Sequence, residues 1–175
     1  MRRLLSGFGL LLLLASPLAG QTNPWKQYKN AEGNFTVLFS GDPTDTPNSA
    51  AGGVRSHTLM AKDGGALYTV VYTSMDSDQK VDEATFVVFK DAVFRELPKC
   101  DLISEHPPAP GLGGYIGHWY RLSCEMPNKI TIVGNLYWGK RYAYAVMAMF
   151  PADTAEPTKL IKTFVDSFAV LDPGK

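Results

Sequence analysis

Three histidines (His57, His106, His118) and two cysteines (Cys100, Cys124) are the side chains here with the most chemistry to offer. A metalloenzyme gathers its ligands at close spacing, as in His-Glu-x-x-His on one helix face. These histidines fall on two expected strands and a loop, with no such spacing. If His57 and His118 lay on neighbouring strands they would meet, and with Asp63 they would make a weak Zn²⁺ site. A half-buried structural role is the plainer reading. Ser123 stands close to His118 in sequence, but positions 118 and 123 of one strand point to opposite faces, which argues against a nucleophile–base dyad. No Gly-x-Ser-x-Gly elbow is present. The cysteine pair lacks the Cys-x-x-Cys spacing of a redox centre. An even pair in an exported chain is more simply a disulfide. Closing the loop between them contributes roughly 3–4 kcal/mol by chain entropy.

Two glycine patterns imitate nucleotide sites. Gly134-Asn-Leu-Tyr-Trp-Gly139-Lys140 follows the first seven positions of a phosphate-binding loop. Arg141 then stands where Ser or Thr must hold Mg²⁺, and an aromatic strand replaces the flexible loop. Gly111-Leu-Gly113-Gly-Tyr-Ile-Gly117 misses the dinucleotide fingerprint by one place. It precedes a strand, so no helix N-terminus faces a pyrophosphate. Asn34-Phe35-Thr36 is a glycosylation sequon, relevant only in a eukaryotic secretory pathway. Trp119, Tyr137, Trp138, Tyr142 and Tyr144 crowd one region, as core residues or as the lining of a ligand cleft.

The chain opens MRRLLSGFGLLLLLASPLAG. Two arginines, an apolar stretch too short to span a bilayer comfortably, and small residues at Ala19 and Gly20 make residues 1–20 a secretory signal peptide. The arginine pair also occurs in twin-arginine leaders, but its extreme N-terminal position and the apolar core fit the general pathway. Leu18-Ala19-Gly20-Gln21 has the outline of a lipoprotein box in which Gln replaces the lipidated Cys, so no stable membrane anchor is expected. Residues 21–175 then form one domain of common size. The 17 basic and 17 acidic residues balance, and losing Arg2 and Arg3 leaves a slight acidic excess. Such a chain is not built to coat nucleic acid or an anionic membrane.

The elements that must hold these residues follow from period and punctuation. Phe35, Val37 and Phe39 share one strand face, ended by Gly41-Asp42-Pro43. Residues 44–53 read as loop. Val54–Met60 and Leu67–Ser74 flank an Asp-Gly hairpin turn. Asp82 is an N-cap for a helix reaching about Leu97, with Phe86, Phe89, Val93 and Leu97 as its buried stripe. Asp101–Glu105 is a short strand, and His106–Gly114 a loop. Tyr115–Cys124, Ile130–Trp138 and Tyr142–Phe150 are joined by turns too short for parallel crossovers, hence an antiparallel meander. Tyr142–Phe150 is apolar on both faces, which demands cover on both. A last helix over 157–168 offers Leu160, Ile161, Phe164, Val165 and Phe168. One helix on each face would meet that demand: an α+β fold, an α/β/α sandwich around a mostly antiparallel sheet.

The opening Tyr28-x-Asn30-x-Glu32-Gly33-x-Phe35-x-Val37-x-Phe39-x-Gly41-x-Pro43 and the closing Phe164-x-x-Ser167-Phe168 resemble the PsbP-like family, named for an extrinsic subunit of photosystem II. The resemblance runs from about Trp25 to Leu171. It implies an α/β/α sandwich and a non-catalytic binding or assembly role. It brings no catalytic motif, so no functional residue is carried over. The expected function is therefore an exported, non-enzymatic domain, without cofactor, that binds an envelope or extracellular protein. It would act through loops 41–53 and 106–114, with Leu112, Tyr115 and Trp119 as candidate contacts. Binding of a small apolar or aromatic ligand beside the 115–150 meander is the second reading, and an enzyme with an unrecognised site the third.

Overall fold

The computed structural model describes residues 25–49, 55–75, 78–97, 99–107, 112–125, 128–154, 156 and 158–172. The leader over 1–20 and parts of both candidate loops, 50–53 and 108–111, lie outside them.

The turn at Gly64 and Gly65 sets the centre of the fold. Both have left-handed backbones, φ 55° and 83°, the pair of values a tight hairpin needs and glycine supplies without strain. It joins β4 (Arg55–Asp63) to β5 (Ala66–Ser74). The three long strands are β7 (Ile116–Glu125), β8 (Lys129–Trp138) and β9 (Tyr142–Pro151). They form the expected meander, and β9 continues onto β5. β3 (Thr44–Ser49) and β6 (Cys100–His106) are the edges. The seven-stranded sheet runs β3-β4-β5-β9-β8-β7-β6, antiparallel throughout. A second sheet holds β1 (Trp25–Asn30), β2 (Phe35–Ser40) and β10 (Ala169–Val170), with β2 in the middle.

Helix α1 (Glu83–Arg95) begins as expected. The Asp82 carboxylate accepts from Thr85 N at 2.8 Å and the Thr85 hydroxyl accepts from Asp82 N at 3.2 Å, a reciprocal cap. Phe86 and Val93 are buried against one face of the large sheet, with Tyr120, Leu122, Ile132, Leu136 and Met147. The other face carries Tyr68, Val70, Tyr72, Tyr144, Val146 and Phe150. It is covered by Phe35, Val37 and Phe39 of β2, and by Ile161, Phe164 and Val165 of α2 (Thr158–Asp166).

This corrects the α/β/α sandwich. The molecule is mostly antiparallel β, ten strands in two sheets with two short helices among the described residues. Length explains the difference. Seven strands spaced about 4.8 Å apart span about 29 Å, whereas nine-residue α2 is only about 13 Å long. A helix of that size cannot roof the face alone, so the three-stranded sheet does most of it. The expected loop over 44–53 is also corrected in part, since 44–49 is edge strand β3.

Candidate functional site

His57 and His118 do not meet. Their strands, β4 and β7, are separated by β5, β9 and β8, and their rings lie on opposite faces. His57 stacks on Tyr72 at 4.9 Å, and His118 lies over Phe86 at 4.5 Å. Asp63 is buried at the turn end of β4, six residues beyond His57. The Zn²⁺ arrangement is therefore not assembled, and no group of three His, Cys, Asp or Glu side chains among the described residues is placed to hold a metal ion. Ser123 sits on the Trp119 side of β7, away from His118, so no dyad forms either.

Each of these histidines instead lies between two carboxylates. His57 Nδ1 is 3.1 Å from Asp45 and its Nε2 3.8 Å from Glu32. His118 Nδ1 is 2.8 Å from Glu105 and its Nε2 3.7 Å from Glu83. Glu105 also receives both of its oxygens' contacts from Lys90 Nζ, at 2.9 and 2.8 Å. Burial works against ionisation of Glu105, but the bonds from Lys90 and His118 prevail and hold its carboxyl below the usual range. The cluster ties α1 (Glu83, Lys90) to β6 (Glu105) and β7 (His118) across elements that are distant in sequence. Nothing in the spacing of these residues announced it.

The candidate contacts Leu112, Tyr115 and Trp119 all pack half-buried against the main core. Tyr115 N donates to Leu112 O at 3.1 Å, closing a turn. The Tyr115 ring lies against Gly139, in the place a side chain there would fill, and burial raises the pKa of its phenol. Tyr137 likewise covers Gly117 of β7, which lies between Trp119 on the same face of that strand and Tyr115 just before it. His106 stacks on Trp119 at 4.5 Å. The result is a row, Tyr115, Tyr137, Trp119 and His106, along the end of the face. Under it, Asn135 lies opposite Trp119 in the β7–β8 register. Its Nδ2 donates to the Tyr137 hydroxyl at 2.7 Å, while its buried Oδ1 finds no partner in the protein.

The apparent phosphate loop is strand β8 and its turn. Gly134 is present because the Val146 carbonyl of β9 passes where its Cβ would stand. Cys100 and Cys124 face each other in the β6–β7 register and are disulfide-bonded. No helix among the described residues is long and apolar enough to cross a membrane.

Among solved structures, the chain is similar to the solution structure of cyanobacterial PsbP (CyanoP) from Synechocystis sp. PCC 6803. The TM-score is 0.56 and the sequence identity 14%, over 90% of this chain and 98% of that one. At that identity the likeness shows a PsbP-like fold. No family model and no curated protein sequence matches the chain.

Proposed function

We propose that this chain is an exported, non-catalytic binding or assembly domain whose partner is an envelope or extracellular protein. The observation that carries this reading is the row of Tyr115, Trp119 and His106, with buried Tyr137 packed between them as support. Aromatic rings fixed from behind by packing present large contact area with little side-chain entropy left to lose, which is the make-up of an interaction hot spot. The disulfide supports an oxidising compartment. Charge balance favours a protein over a polyanion as partner. The PsbP-like fold supports an accessory role rather than a catalytic one. A photo-crosslinking amino acid placed at Leu112 in the producing cell tests the reading, with the exposed position Lys29 on β1 as control. One dominant adduct from 112, absent from 29 and lost when Trp119→Ala is added, is expected. Equal adducts from both positions would remove the row from the interface. Turnover of a substrate that disappears in His118→Ala would overturn the non-enzymatic reading.

Asn135 favours a second reading. A buried, unpaired carbonyl beside Trp119, on a residue only 6% exposed, suits the donor group of a small aromatic ligand, since an unmet buried acceptor costs about 1–3 kcal/mol. Native mass spectrometry of gently purified protein decides it. A molecule released on denaturation supports ligand binding, and a bare chain mass speaks for the protein partner.

A further inference from the structure

We infer that the turn end of the β4–β5 hairpin, around Asp63 and Tyr68, is a binding site for a primary ammonium group carried on an alkyl chain. Side chains alternate along a strand, so Ala61 and Asp63 of β4 share one face with Ala66 and Tyr68 of β5. Tyr68 stands opposite Ala61 in the register and Asp63 opposite Ala66, which makes Asp63 and Tyr68 diagonal neighbours. This is the covered face of the large sheet, and Ala61, Ala66 and Tyr68 belong to its core. Asp63 is 5% exposed and Tyr68 is fully buried. Yet Asp63 Oδ2 and the Tyr68 hydroxyl find no hydrogen-bond partner in the protein. Among the described residues, no Lys, Arg or His pairs with Asp63 either. The neighbouring Lys62 is exposed and lies on the opposite face of β4. The Asp63 charge adds to burial in raising the Tyr68 phenol to about 12, so the carboxylate lies within electrostatic reach of the ring.

A carboxylate shut away from water without a counter-charge is among the least favourable groups a fold can hold. The surroundings select the cation that would meet it. Alanine stands directly beside each polar group, which leaves room around both. Trp25 and Phe164 lie against the Tyr68 ring at 5.2 and 5.3 Å. Leu160 of α2 comes within 4.0 Å of where a Cβ on Gly64 would stand. One carboxylate and one phenol between apolar walls are too few for a metal cation, which takes about six oxygens. An ammonium asks only for acceptors. It donates to Asp63 Oδ2 and to the Tyr68 hydroxyl, offsets the buried charge, and lays its methylenes along Trp25 and Leu160. Entry is from the turn, where Gly64 and Gly65 are exposed and nothing lies within 4 Å of a Cβ on Gly65. The site sits at the Leu67–Met149 end of the sheet, whereas Tyr115 adjoins the Ile116–Trp138 end, so it is independent of the aromatic row.

Titration of the purified protein with n-butylammonium chloride tests this, followed by the nuclear magnetic resonance signals of the Trp25 indole and the Asp63–Ala66 amides. Potassium chloride at equal ionic strength supplies charge without the tail, and n-butanol the tail without charge. Shifts at this end of the sheet with butylammonium alone are expected. Asp63→Asn should weaken binding at least tenfold and Tyr68→Phe severalfold. Without amine, Asp63→Asn should melt no lower than wild type, because the unpaired buried charge is gone. Two more probes separate the sources of such a group. N-acetyl-lysine methylamide stands for a lysine side chain of another protein and diaminobutane for a free amine, and the tighter binder identifies which one the site takes. Absence of butylammonium shifts at this end overturns the inference. So do equal shifts with potassium, which would make this an alkali-ion site, or with butanol, which would make it merely apolar. An Asp63→Asn variant that binds as well as wild type, or that melts lower without amine, overturns it too.

Discussion

At the scale of single residues, Glu105 is the hinge of the electrostatics. Its folded carboxyl sits below the usual value of 4.5 because Lys90 and His118 favour the charged form despite burial. A depressed folded pKa gives stability that is present above the unfolded value and lost as pH falls through the folded one. Glu105→Gln should therefore cost about 1–2 kcal/mol at neutral pH. That gap should close as the pH falls below about 4.5. Urea unfolding of both proteins at a series of pH values measures it. A gap constant from neutral to acid pH would mean that shape, and not charge, is what Gln fails to supply. Asn34, the sequon residue, is settled differently. It is buried, its Nδ2 donates to Asp172 O at 2.8 Å and its Oδ1 accepts from Asp172 N at 3.1 Å. A glycan there would unseat the end of the chain.

At the scale of elements, α2 depends on packing more than on its own length. Nine residues are too few for a stable isolated helix. Phe164 is fully buried, in ring contact with Phe39 of β2 at 5.4 Å and Tyr68 of β5 at 5.3 Å. Phe164→Ala should cost about 3–5 kcal/mol, whereas Lys162→Ala on the exposed side, where Lys162 pairs with Asp166, should cost under 1 kcal/mol. Equal shifts in the denaturation midpoint would mean α2 is not docked through Phe164. The elements also mark where sequence was legible. α1 announced itself through Asp82 and its apolar stripe, the β4–β5 hairpin through Gly64 and Gly65, and β7–β9 through short turns and apolar runs. β3, TDTPNS, did not, because its side chains stay largely exposed and it lacks an apolar alternation. Two-residue β10 is too short for any period to show. The Glu105–His118–Lys90 cluster was illegible for another reason: its members come from three elements whose adjacency exists only after folding.

At the scale of the whole molecule, the tyrosines report on the packing together. Burial first of all raises the phenols of Tyr68, Tyr72 and Tyr137 to about 12, and pushes up Tyr120 and Tyr144 as well. A raised folded pKa gives stability that is complete below the unfolded value near 10 and lost as pH rises above it. Each tyrosine ionised only in the unfolded chain, Tyr120 above all, removes about 1.4 kcal/mol per pH unit. Phenolate absorbance should lag behind the ordinary curve and then rise in one cooperative step, together with loss of near-ultraviolet dichroism. A smooth titration centred near 10 in the folded protein would show that the rings are wet.

The small sheet also sets a timetable. β2 is flanked by β1 on one side and β10 on the other, so the first and last strands among the described residues complete the same sheet. During synthesis Phe35, Val37 and Phe39 emerge before every strand of the large sheet, yet α2 and β10, which complete the cover they begin, emerge after all of them. No chain that stops before α2 and β10 can finish the roof of the main core, and the pairing that closes it joins Phe35 to Val170, which makes closure slow. A chain that stops short of α2 and β10 therefore leaves one face of the large sheet partly bare, with Tyr68, Tyr72 and Tyr144 open to whatever binds unfinished protein.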